Sequence, residues 1–121
     1  MRDTYINITN CIFDAMNSKD FSEPEKYMSD DIAFDFPGTD RIEGKKRVLV
    51  FLKVLTRKYK DLTFTVSEIL IDGDRACAVW TNKGTGNDGE AYSNSGMTLV
   101  HFKEDKIVFM SDYFKDTSFA G

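Results

Sequence analysis

Lys106-Ile107-Val108-Phe109-Met110-Ser111-Asp112-Tyr113-Phe114 is the stretch whose reading decides the fold. It is rich in β-branched and aromatic residues and reads as a strand. Strand side chains alternate between faces, so Ile107, Phe109, Ser111 and Tyr113 share one side and Val108, Met110, Asp112 and Phe114 the other. Asp112 therefore falls among apolar neighbours, where desolvation disfavours its charged form and raises its pKa above the ordinary carboxylate value. A carboxyl so placed has a hydrogen-bond partner, looks into a wet cavity, or does chemistry.

Working back toward the N-terminus, Glu104-Asp105 turns the chain and the run Ala91–Lys103 pairs with the last strand. In it, Tyr92, Asn94 and Thr98 share a face with Val100 and Phe102, while Met97, Leu99 and His101 occupy the opposite face. Arg75–Thr85 is the strand before, with Trp80 and Asn82 on one face. The intervening Gly86-Asn87-Asp88-Gly89 precedes no helix start and no Gly-Lys-Ser/Thr, so it is read as a hairpin loop and not as a phosphate cradle. Asp72-Gly73-Asp74 makes another tight turn. Upstream, Leu62, Phe64 and Val66 share a face, but the apolar phase passes to Ile69 and Ile71 across Ser67-Glu68, which predicts a bulge.

The N-terminal half is mainly helical. Tyr5, Ile8, Ile12 and Ala15/Met16 form one apolar stripe, predicting a helix over 3–17. Ser22 and Glu25 have the spacing of a capping box opening a short second helix that carries Tyr27 and Met28. Residues 32–36 read as a short strand with Ile32, Phe34 and Phe36 on one face and Ala33 and Asp35 on the other. The strongest helical pattern runs over 43–59, with Val48, Phe51, Leu52, Leu55 and Tyr59 on one side. Tyr27 and Tyr59 read as packing between helix and sheet.

With 121 residues the chain is read as one domain, 1–121. Net charge is -4 from 16 basic and 20 acidic residues, which argues against nucleic acid as a partner. The basic clusters Lys45-Lys46-Arg47 and Arg57-Lys58-Tyr59-Lys60 read as solvated helix ends. No apolar stretch reaches the length of a membrane span, and no signal peptide is evident, so no membrane partner and a cytoplasmic location are expected. Cys11 and Cys77 lack metal spacing and are expected as buried free thiols. A single histidine, His101, leaves no histidine-rich metal site, and no cofactor motif is present.

Helix, helix, short strand, long helix and four long antiparallel strands define an α+β fold. The expected form is a cone-shaped curved sheet wrapped around the long helix, with two N-terminal helices and a hollow that binds a small hydrophobic molecule. This order, ending in Asp112-Tyr113-Phe114, resembles the nuclear transport factor two-like superfamily, a cystatin-like α+β barrel, and within it the SnoaL-like and ketosteroid-isomerase-like groups. The resemblance implies a dimer with a pocket between sheet and helices. It also implies an Asp-based acid/base enzyme of the isomerase, cyclase or dehydratase type, or a non-catalytic ligand-binding or protein-interaction module.

By the same resemblance, Asp35, three residues before Gly38, matches the loop carrying the general base of ketosteroid isomerases. Asp112 matches the last-strand acid of SnoaL-like cyclases. Both are expected to face the pocket, as catalytic candidates, although Asp35 could instead hydrogen-bond the Gly38-Thr39 turn. Where ketosteroid isomerases hold an enolate with a tyrosine and a protonated acid, this chain has Cys11 or Ile12, and Thr98. Where epoxide hydrolases have Arg-x-Asp, it has Trp80-Thr81-Asn82. The expected ligand contacts are Trp80, Asn82, Tyr92, Asn94, Thr98, Met110 and Phe114. Met97, Leu99, Ile107, Phe109 and Tyr113 are expected on an outer face that forms a homodimer, with His101 beside them.

Overall fold

The computed structural model describes residues 2–59 and 61–116; Lys60, read above with a basic cluster, lies outside the described residues. The elements run α1 (Arg2–Ser18), α2 (Ser22–Glu25), β1 (Met28–Asp35), β2 (Ile42–Glu43), α3 (Lys45–Arg57), β3 (Thr63–Asp72), β4 (Arg75–Thr85), β5 (Ala91–Lys103) and β6 (Lys106–Phe114). The strands form one six-stranded sheet in the order β2-β1-β6-β5-β4-β3. β3 to β6 pair antiparallel in sequence, as the alternation and turns predict, while β1 joins β6 in parallel. The sheet curves without closing, leaving β2 and β3 as its edges, so it is an α+β half-cone and not a sealed barrel.

The core lies between the concave face of the sheet and the helices. Tyr5, Ile8, Ile12, Ala15 and Met16 of α1 are buried, as are Val48, Leu49 and Leu52 of α3. Asn17, at the end of α1, holds the edge strand: its amide accepts from Phe64 N at 2.7 Å and donates to Phe64 O at 3.0 Å. The side chain thus satisfies backbone groups that an edge strand leaves open. Gly44 begins α3 at φ 97, a left-handed conformation that glycine adopts without a Cβ penalty, and its N–H bonds Ile32 O at 2.8 Å.

Several local readings are corrected. The capping box does not form: Phe21 is the N-cap, and the Ser22 hydroxyl is taken by Asp20, whose Oδ1 accepts from both Ser22 N (3.0 Å) and Ser22 Oγ (2.8 Å). The second helix ends at Glu25, and Met28, expected within it, begins β1 and is buried. The bulge predicted at Ser67-Glu68 is present, between Val66 and Glu68 in the pairing with β4. A second bulge was not foreseen. Phe102 pairs with Ile107 but His101 with Phe109, so β6 carries one extra residue and its parity flips. Ile107 therefore points into the core and is fully buried, not outward as strict alternation implies. Cys11 and Cys77 are free, and both are half-buried instead of buried.

Candidate functional site

The site is built from the inward-facing residues of β4, β5 and β6 after the parity flip. Ala78, Thr98 and Asp112 align across these strands, with Trp80, Gly96 and Phe114 in the next inward row. Trp80 is long enough to reach back to the first row, where its Nε1–H donates to Thr98 Oγ1 at 2.9 Å. A hydroxyl that accepts there has its proton to give, and Thr98 Oγ1 donates to Asp112 Oδ1 at 2.7 Å. The three side chains form a directed chain of hydrogen bonds ending on one oxygen of the carboxyl. Among the described residues Asp112 Oδ2 has no partner.

These residues wall a cavity of about 40 Å³, room for a few waters. α1 contributes Ile12, Phe13 and Met16; β1 and the residue after it contribute Phe34 and Phe36; α3 contributes Leu52 and Leu55. The rings are in contact around it, with Phe36–Phe114 centroids at 5.4 Å and Phe64–Trp80 at 5.1 Å. At the other end Tyr59 stacks on Tyr92 at 4.6 Å. Burial pushes the Tyr59 hydroxyl up to about 12, and Tyr92 is raised for the same reason, so both phenols stay neutral.

Asp112 is the one carboxyl among the described lining residues, and no Lys, Arg or His lines the cavity with it. Desolvation pushes its pKa up to about 7, against a smaller lowering by the Thr98 hydrogen bond. The charged and neutral forms are thus both populated near neutral pH.

Of the other expected residues, Trp80, Asn82, Tyr92, Thr98, Met110 and Phe114 line the cavity. Asn94 does not. It stands behind Tyr92, donating to its hydroxyl at 3.0 Å and to Asp116 O at 2.8 Å. Asn82 is buried, with Oδ1 unpartnered. Asp35 is corrected as a pocket residue: Phe34 and Phe36 turn inward, so Asp35 between them turns outward, level with Ser111 on the convex face. There both its oxygens accept from Arg41, at 2.8 Å each, and this guanidinium holds its pKa below the ordinary carboxylate range. The Gly38-Thr39 turn is not its partner. The Trp80–Thr98–Asp112 chain was not foreseen, because it joins three strands through a side chain that crosses between rows.

Among the described residues no three His, Cys, Asp or Glu side chains converge as metal ligands, and no helix is long and apolar enough to cross a membrane.

The model of a family described as the SnoaL-like domain matches residues 11–110. The chain matches no curated protein. Among solved structures it is similar to an NTF2-like protein of unknown function from Exiguobacterium sp., at 21% identity and TM-score 0.80, over 91% of this chain and 99% of that one. A protein described as a SnoaL-like polyketide cyclase from Jannaschia sp. superposes with TM-score 0.84 at 14% identity, over 93% and 86% of the two chains. A protein with a ketosteroid isomerase-like fold from Catenulispora acidiphila, solved in complex with trimethylamine, has TM-score 0.81 at 12% identity, over 92% and 87%. At these identities the likeness is one of fold.

Proposed function

We propose, from the premise that this chain belongs to the SnoaL-like family, that it is a small-molecule-binding domain. Its site is the aromatic cavity, and Asp112 is the one carboxyl among the described residues that line it. One observation carries the reading: a carboxyl oriented by Thr98 opens onto a hollow whose described lining is mostly apolar. Few polar groups set in apolar walls are the usual make-up of a ligand pocket. The volume favours a molecule of a few heavy atoms, a size like that of the trimethylamine bound by the Catenulispora protein.

Trp80 is the chain's one tryptophan and stands in the cavity wall, so its fluorescence reports occupancy. A saturable change with one member of a panel of small alcohols, ketones and amines, abolished by filling the cavity with Leu55→Phe, is the expected result. Absence of any saturable change across the panel would reject the binding reading.

Acid–base catalysis by Asp112 is a second reading, favoured by a carboxyl that titrates near neutral pH. It predicts deuterium exchange next to the carbonyl of a small ketone. Asp112→Asn should lower that exchange about 10²–10⁴-fold, the usual contribution of general acid–base catalysis, while Asp35→Asn leaves it unchanged. Exchange that survives Asp112→Asn would leave binding alone.

A further inference from the structure

We infer that the cavity takes a small organic cation, an alkylammonium whose charge lies against the open Oδ2 of Asp112 and whose alkyl groups rest on the rings of Phe36, Trp80 and Phe114. The inference rests on the cavity being the ligand site and names the chemical class it selects.

The argument is one of charge and of spent donors. An enolate or other anion at Asp112 would need hydrogen-bond donors aimed at it. The donors of the chain that ends on the carboxyl are already used: Trp80 N–H goes to Thr98, and Thr98 O–H goes to Asp112. What remains open there is an acceptor, and the aromatic faces around it carry negative quadrupole potential. The rings stand close together, Phe36–Phe114 at 5.4 Å and Trp80–Phe114 at 6.2 Å between centroids.

Among the described lining residues none carries a positive charge that could pair with the carboxylate. The linings from α1, β1, α3 and β3 are apolar, β4 adds Trp80 and Asn82, and the other titratable groups among the described lining residues are Tyr59 and Tyr92. With no Lys, Arg or His among the described lining residues, the ionised acid lacks a counter-charge that a cationic ligand supplies. A small cation also suits the volume, since three methyl groups on one nitrogen make a compact ligand.

The test compares trimethylammonium chloride with tert-butanol, a neutral molecule of similar shape, by Trp80 fluorescence and calorimetry. Trimethylammonium should bind at least tenfold more tightly at pH 8. It needs the ionised carboxyl, which titrates at about 7, so its affinity should fall about 100-fold between pH 8 and pH 5, with a proton released on binding near neutrality. Tert-butanol should show no such fall. Asp112→Asn should remove both the preference and the pH dependence, and Phe114→Leu should weaken the cation more than it weakens tert-butanol.

Equal affinities, a flat pH profile, or a preference that survives in Asp112→Asn would each overturn the inference. The wild-type pH profile decides the matter even if that variant does not fold. If tert-butanol enters and the ammonium does not, the cation is rejected and the binding site stands. If neither perturbs Trp80, both fall.

Discussion

Asp112 shows how one residue's burial becomes a property of the whole fold. Its pKa rises from 3.8 to about 7 on folding, a differential on the order of 4 kcal/mol. Between those values the folded chain holds a proton that the unfolded chain has lost, so stability falls as pH rises through the window. Asp112→Asn should therefore stabilise the protein at pH 8 and not at pH 4. The new amide N–H₂ replaces a carboxyl oxygen that has no partner, which costs about 1–3 kcal/mol. A net gain of about 1–3 kcal/mol is expected, read as a higher denaturation midpoint in urea at pH 8; a loss of stability there would reject the raised pKa. Thr98→Val should drive the carboxyl pKa higher still by removing its one hydrogen bond, and NMR titration of the Asp112 carboxyl checks this. Asp35 behaves in the opposite way. Arg41 lowers its pKa, so its contribution is present above the ordinary carboxylate pKa and is lost as pH falls through the folded value. The pair is exposed, and that contribution is small.

At the scale of elements, the curvature that makes the cavity is set by irregularities in the strands. The bulges in β3 and β6 each insert a residue and bend the sheet. Gly96 does the rest. It lies between Trp80 and Phe114, and a Cβ there would meet Tyr113 O and come within 2.7 Å of Phe114 Cα. Gly96→Ala should destabilise by about 1–3 kcal/mol through this overpacking and loosen the Trp80–Phe114 contact. Thermal unfolding with Trp80 fluorescence measures both, and an unchanged midpoint would show that the strands give way freely. The bulge at Ser67-Glu68 was legible because apolar residues lie on both sides of it in opposite phase. The β6 bulge was not, since Ile107, Val108 and Phe109 are all apolar and suit either parity.

For the whole molecule, the convex face carries an apolar patch. Met97 is 43% and Tyr113 56% exposed, with Leu99, His101 and Phe109 half-buried between them. Arg41 lies 5.2 Å from the Phe109 ring and carries the Asp35 pair, giving the patch a polar margin. Apolar surface with a charged rim is the make-up of an interface. A homodimer through this face is expected in sedimentation equilibrium at micromolar concentration, and Met97→Lys with Tyr113→Lys should yield monomers. A wild-type chain that sediments as a monomer would remove this face from the account.

The order of elements apart from β2, the four antiparallel strands, their turns and the inward position of Asp112 were all determined by sequence, because each depends on local periodicity and on residues that favour turns. The parallel β1–β6 pairing and the inward turn of Ile107 were decided only by tertiary structure, since apolar residues in sequence do not state which neighbour they will meet. The same holds for Asp35. Its spacing to Gly38 suited a pocket, but packing of Phe34 and Phe36 on the core turned the carboxylate outward, where Arg41 meets it. The hydrogen bonds from Trp80 through Thr98 to Asp112 span residues 32 positions apart, and only the curvature of the sheet brings those side chains into line.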